Sequence, residues 1–221
     1  MTKCVFARKF RGFKAVNVPL DRTLFLVGDN SSGKSSILHL INLVCSKELI
    51  GPQGLETNHY VDRGDIFSPY FDYADVDVGF YSDDEASRIS RVITIKRVKD
   101  TFSSYVAKIT FSNEHGVLSL RMTSKGKVSG RFYEISTLPT VEDLLSIHDS
   151  NRGLRALQLE ADGPLNDLNV LVPALVELLA DKRPQQNFMN ILFARGMPST
   201  RLIAPMRGGP EGFYSFDRQI K

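Results

Sequence analysis

The sequence predicts an α/β fold assembled around a phosphate-binding loop, on three observations. Gly28–Ser35 reads G-x-x-x-x-G-K-S. An apolar run precedes that loop and a helical stripe follows it, the strand–loop–helix setting the motif requires. Beyond residue 73 come successive short runs that alternate apolar and polar residues, the pattern of an antiparallel meander.

Taken in order, Thr23–Val27 (TLFLV) reads as a short buried strand ended by Gly28. Ile37, Leu38, Leu40, Ile41 and Val44 recur at helical spacing. They predict a helix to about Ser46, closed by Gly51-Pro52. Residues 47–70, with three glycines and two prolines, read as irregular, and His59 among them receives no role. The alternating runs are Ala74–Phe80, Arg91–Val98, Tyr105–Phe111, Val117–Met122 and Arg131–Ile135. Turns such as Asn113–Gly116 and Lys125–Lys127 divide them. In the first run Val76 and Val78 share one face and Asp75 and Asp77 the other, predicting a wet face for the aspartates rather than a metal site. The bases of the meander, among them Arg91, Lys108, Arg121 and Arg131, read as a solvated sheet face, with a nucleic-acid-facing surface as the other reading. Thr140-Val141-Glu142-Asp143 has the pattern of a capped helix start. Apolar patterns over 165–182, interrupted by Pro173, and over 187–194 predict further helices. Arg201–Arg207 reads as a short strand.

Composition is that of an ordinary globular protein, 42% hydrophobic and 24% charged over 221 residues. The net charge of +3 is too near balance to announce nucleic acid by itself. No apolar run approaches the ~18 residues of a membrane helix. Arg8 and Lys9 interrupt any signal-peptide core at the start, so the expectation is a cytoplasmic protein with no membrane partner. Cys4 and Cys45 stand far apart without a CxxC pair, which argues against a disulfide framework or zinc site and for two buried thiols.

The loop carries the chemistry. Gly28 and Gly33 allow backbone angles and close approaches that a side chain forbids. The N–H groups of Asp29, Asn30, Ser31, Ser32 and Gly33 can then converge on phosphate oxygens at a helix N-terminus. Lys34 supplies a mobile cation to the β- and γ-phosphates. Ser35 offers its hydroxyl to Mg²⁺, with Ser36 beside it in the first helical turn. The expected ligands are therefore ATP and Mg²⁺. A GTPase needs NKxD, and the nearest string is Ala180–Arg183. A nucleoside or shikimate-type kinase usually has a third glycine where this chain has Asn30, Ser31 and Ser32.

GDNSSGKSS resembles the phosphate loop of ABC-type ATPases of the SMC, RecF and OLD group. The preceding FRGFKAVNVPLDRTLFLVGDN resembles their approach to it: a strand, a short turn, a second strand, then the loop strand. The resemblance implies a P-loop NTPase of the ABC-ATPase head type. Its mixed β-sheet surrounds the loop helix, with an antiparallel meander completing residues 1–136. A helical insertion follows over 137–195, and residues 196–221 form a return strand leading to a C-terminal part. It makes Arg11 and Lys14 in RGFK candidate nucleotide contacts. The stretch from Arg201 through GGPEGFYSFD is similar to one midway in OLD-like ATPases, many of which act in defence against phage.

A Walker B strand ending in Asp-Glu is not found in this sequence. Phe213–Asp217 is the nearest string, with Arg218 where the glutamate belongs. No LSGGQ-like segment appears, and Gln53 comes too early for a glutamine loop. In the resembled group these lie further C-terminal, so the expectation is the N-terminal part of a longer ATP hydrolase. The group also implies a homodimer or higher oligomer through the heads, with ATP between them. DNA, or a nuclease or other effector, is the implied partner. The competing expectation is a non-hydrolysing nucleotide-binding module that scaffolds an effector complex.

Overall fold

The computed structural model describes residues 3–20, 23–29, 32–45, 66–67, 75–84, 88–97, 104–123, 127–157, 176 and 178. Eight strands form one sheet: β1 (Lys3–Phe10), β2 (Phe13–Pro19), β3 (Asp75–Ser82), β4 (Ile89–Arg97), β5 (Ser104–Asn113), β6 (Gly116–Met122), β7 (Val128–Tyr133) and β8 (Arg155–Ala156). Their order is β2-β1-β3-β4-β5-β6-β7-β8, and every pairing is antiparallel. Two helices complete the described fold, α1 (Lys34–Cys45) and α2 (Val141–Asp149).

The meander stands where the alternation puts it. The Asn113–Gly116 turn is closed by the Asn113 side chain, whose Oδ1 accepts the N–H groups of His115 at 2.9 Å and Gly116 at 3.2 Å. Between β4 and β5 the register slips at Thr94/Ile95, leaving Ala107 as the extra residue of a bulge that adds twist. Strand β7 begins three residues before the predicted Arg131, at Val128. A mixed sheet is not found: among the described residues no pair of strands is parallel.

The missing parallel element is Thr23–Val27. These residues form no ladder and lie largely exposed, Phe25 at 82% and Val27 at 92%. An unbroken apolar run is a buried strand only where neighbours cover both of its faces. Here β2 is an edge strand bonded to β1 alone, so the composition of the run has no sheet to express it.

One face of the sheet is apolar. Val5, Val78, Phe80, Ile93, Ile109 and Leu118 pack there against Leu40, Leu43 and Val44 of α1. Leu178, one of two described residues of the helix predicted over 165–182, is helical and packs here over Gly130. The remaining predicted helices and the strand at Arg201–Arg207 lie outside the described residues.

The opposite face is covered by α2. Thr140 caps it in a capping box with Asp143, as the pattern predicts. Leu144 joins Cys4, Phe6 and Val92 in a small apolar cluster. His148, 1% exposed, sits in a polar chain: its Nε2 is 2.7 Å from Thr94 Oγ1 and its Nδ1 is 2.8 Å from Thr110 Oγ1. Thr94 gives its only hydroxyl proton to Asp77 Oδ1 at 2.7 Å. It must therefore accept from His148 Nε2–H, which makes Nδ1 the acceptor of a neutral ring. Thr110 donates to that nitrogen and accepts from Ser119 Oγ at 2.9 Å.

The sheet also grips the C-terminus of α2, where helix carbonyls lack partners. Arg131 Nη2 donates to Ile147 O at 2.8 Å and its Nη1 donates to Arg152 O. Lys108 Nζ donates to Ser150 O at 2.9 Å. Arg8 holds Asp149 through both carboxylate oxygens, at 2.8 and 2.6 Å, and donates through Nε to Asp77 at 2.9 Å. Two expectations are corrected here. Asp77 shares its face with Asp75 as predicted, but α2 covers it, and Lys108 and Arg131 serve a helix end rather than solvent. Arg91 is likewise no solvated base: it is 1% exposed on the apolar face and donates to Val44 O, at the C-terminal end of α1, at 2.7 Å.

Candidate nucleotide-binding site

The phosphate loop leads directly into α1, which begins at Lys34, where the motif places a helix. Ile37 N–H donates to Gly33 O at 3.0 Å to start the helical ladder. The N–H groups of Lys34, Ser35 and Ser36 precede that first rung and have no carbonyl of the helix to bind. The first turn of α1 carries no acidic side chain, so the positive end of the helix dipole faces the loop uncompensated from within the helix.

Gly33 is required twice over. Its φ is +91°, and a Cβ there would stand 2.6 Å from Phe13 Cζ, on the first strand after the β1–β2 turn. Gly28 holds φ +156°, where a Cβ would meet Ser32 Oγ at 2.9 Å. Between them Ser32 N–H turns back to Asp29 O at 3.2 Å. Asn30 and Ser31 lie outside the described residues.

Lys34 folds back over the loop it follows. Its ammonium donates to Gly28 O at 2.7 Å, Asp29 O at 2.5 Å and Ser32 Oγ at 3.2 Å. The cation is thus held over the loop by main-chain oxygens, and these flexible, exposed bonds can be exchanged for those to an arriving anion. Ser35 is exposed, and Ser36 is half-buried.

The β1–β2 hairpin supplies a second cation. Arg11, at its tip, adopts φ +50°, a conformation uncommon for a side-chain-bearing residue. Its N–H donates to Ile66 O at 3.3 Å, and its guanidinium lies 5.6 Å over Phe10 and 3.4 Å from Ser36 Oγ. The fold therefore brings Arg11, Gly28, Asp29, Ser32, Gly33, Lys34, Ser35 and Ser36 to one end of α1, whereas Lys14 is exposed on the edge strand. Backbone donors, two cations and a hydroxyl at a helix N-terminus suit a polyphosphate, and an exposed serine hydroxyl suits one inner ligand of Mg²⁺.

Sequence reasoning missed the groups that hold this architecture: the buried Arg91, Lys108 and His148, and the half-buried Arg131. A basic residue at an inward position of an alternating strand was the available signal for Arg91, which shares a parity with Ile93 and Ile95. Both cysteines are buried, as expected, and burial pushes the Cys45 thiol up to about 11. Among the described residues no helix is long and apolar enough to cross a membrane. No family model and no curated protein matches this chain.

Proposed function

We propose that this chain binds Mg-ATP through Gly28–Ser36, with Lys34 and Arg11 as its phosphate cations and Ser35 as the protein's ligand to the metal. The observation that carries this reading is the loop itself: a glycine-bounded turn folded around Lys34 at the uncompensated N-terminus of α1. Ser35 would hold the metal, which when bound would supply charge neutralisation at the phosphates. The chain's own part is to orient the phosphates with backbone N–H groups and to oppose their charge with Lys34. In the ABC-head reading the chain is the N-terminal part of an ATP hydrolase. It associates head to head with nucleotide in the interface and drives a DNA-directed, defence or repair effector.

The test is titration of Mg-ATP into the chain, followed by calorimetry, with wild type beside Lys34→Ala. Loss of the phosphate cation should weaken binding at least tenfold, on the order of 1.4 kcal/mol or more, as charge-assisted contacts typically contribute. Equal affinity in the two proteins would remove Lys34 from the site and the reading with it. Residues 1–221 alone should turn ATP over very slowly, because they carry no Walker B carboxylates.

A second reading, a non-hydrolysing nucleotide-binding module that scaffolds an effector complex, is favoured by the exposed Leu24, Phe25 and Val27 beside the loop. Phosphate release from the complete gene product separates the two: stoichiometric binding without turnover selects the module.

A further inference from the structure

The antiparallel register places three cations side by side on the face that carries α2. Lys108 of β5 stands directly opposite Arg121 of β6, and Arg131 of β7 is diagonal to Arg121, opposite Ser119. Beyond the bulge, the other residues of that face on β5–β7 are Thr110, Ser112, Val117, Ser119, Ser129 and Tyr133, so no carboxylate lies among them. Like charges directly opposite each other in a ladder repel. A protein keeps such a row when something else supplies the opposing charge.

The C-terminus of α2 supplies part of it. It occupies Lys108 through Ser150 O and two nitrogens of Arg131 through Ile147 O and Arg152 O. The carboxylate of Asp149 beside it is held by Arg8. Arg121 is left over. It is exposed, and it makes no hydrogen bond or ion pair among the described residues. Ser129, its cross-strand neighbour on β7, offers a hydroxyl at the same level. The field there is positive: burial, then Arg131 and Arg121, push Lys108 down to about 8.

We propose that Arg121, with Ser129 beside it and Lys108 and Arg131 behind it, forms a binding site for a phosphate oxyanion, separate from the phosphate loop. Two sources carry that chemistry, the phosphodiester backbone of a nucleic acid and free inorganic phosphate. Arg121 provides a planar fork matched to phosphate oxygens, and the two committed cations strengthen the field without leaving the helix they hold. The site rests on the sheet register and the α2 contacts, and does not depend on ATP binding.

The experiment uses the whole chain and four proteins: wild type, Arg121→Glu, Arg121→Lys and Lys34→Ala. Binding of a fluorescein-labelled DNA duplex is followed by anisotropy across a salt series, and inorganic phosphate is titrated separately by calorimetry. Duplex binding that falls with salt, weakens at least tenfold in Arg121→Glu, and survives in Arg121→Lys and Lys34→Ala is the expected result for a backbone site. Phosphate bound with the same pattern of variants, and no duplex binding, assigns the site to the free anion and also supports it. Two results overturn the proposal: binding of neither ligand, or Arg121→Glu binding as wild type does. Arg121 is exposed, so circular dichroism and the melting temperature should show the variant folded.

Discussion

Acidification should unfold this protein through His148 before it protonates the carboxylates that grip the same helix. The imidazole is buried between α2 and the sheet. Burial first, then the Lys108 and Arg8 charges, opposed by Asp149, hold its pKa at about 3 against an ordinary 6.5. The folded state therefore keeps the ring neutral where the unfolded chain has already taken up a proton. The sign follows: the contribution is fully present above pH 6.5 and is lost progressively as pH falls toward 3. The loss is roughly 1.4 kcal/mol per pH unit, on the order of 4–5 kcal/mol across the window. Total stabilities of domains run about 5–15 kcal/mol, so this one group accounts for a large share. Arg8 depresses the pKa of Asp149 below its ordinary 3.8, so its loss acts in the same direction but at lower pH.

Urea denaturation at pH 7, 6, 5 and 4, followed by circular dichroism, measures the slope. In His148→Gln the slope between pH 6.5 and 4 should largely vanish, because the amide has no proton to take up. The variant should be less stable than wild type at pH 7, by about 1–3 kcal/mol for a disturbed buried network. An unchanged slope in the variant would refute the reasoning. A second readout is independent of stability. The ring should show the Nε2–H tautomer in ¹⁵N NMR, since Thr94 has spent its only proton on Asp77.

Gly33→Ala should destabilise by roughly 1–3 kcal/mol in urea melts, and Phe13→Ala in the same chain should recover only the steric part, leaving the cost of φ +91°. Arg11→Ala should weaken Mg-ATP less than Lys34→Ala does, because the guanidinium stands at Ser36, 3.4 Å from its Oγ, whereas Lys34 folds over the loop itself; the calorimetric ranking of the two decides it. Thr140→Ala removes the capping box of α2 and should cost about 0.5–2 kcal/mol by the same melts. Association of the complete gene product, followed by light scattering, should strengthen with Mg-ATP and be blunted by Lys34→Ala; equal association with and without nucleotide would count against a nucleotide-closed dimer.

What was legible in the sequence is what depends on neighbours along the chain. The loop and α1 follow from one continuous stretch, residues 28–45, since glycine angles, the helix start and the apolar stripe are all local. The hairpin turn at Asn113–Gly116 and the capping box at Thr140 are short-range hydrogen bonds written in side-chain type. Alternation along β3 also placed Asp77 and Val78 on the right faces. It could not say which face would be covered, because that depends on α2, more than sixty residues later in the chain. A basic residue on an alternating strand reads as solvent-facing unless the helix end that needs it is known. Lys108 and Arg131 are such residues, and so were read as solvated.

Thr23–Val27 failed in the opposite direction. Its composition is that of a strand enclosed on both faces, and composition registers the burial a segment is made for, while the ladder registers only the neighbours present. The contrast between the run and its exposure is therefore informative. Covering Phe25 and Val27, exposed at 82% and 92%, would remove most of two large apolar side chains from water, each on the order of 1.5–3 kcal/mol. Because the run ends at Gly28, a partner that covered it would also fix the start of the phosphate loop. Substituting Phe25→Ser should weaken Mg-ATP binding although Phe25 lies outside the loop, and should leave the melting temperature nearly unchanged, since an exposed side chain contributes little to it. Nucleotide affinity equal to wild type in that variant would show that the run and the loop are independent.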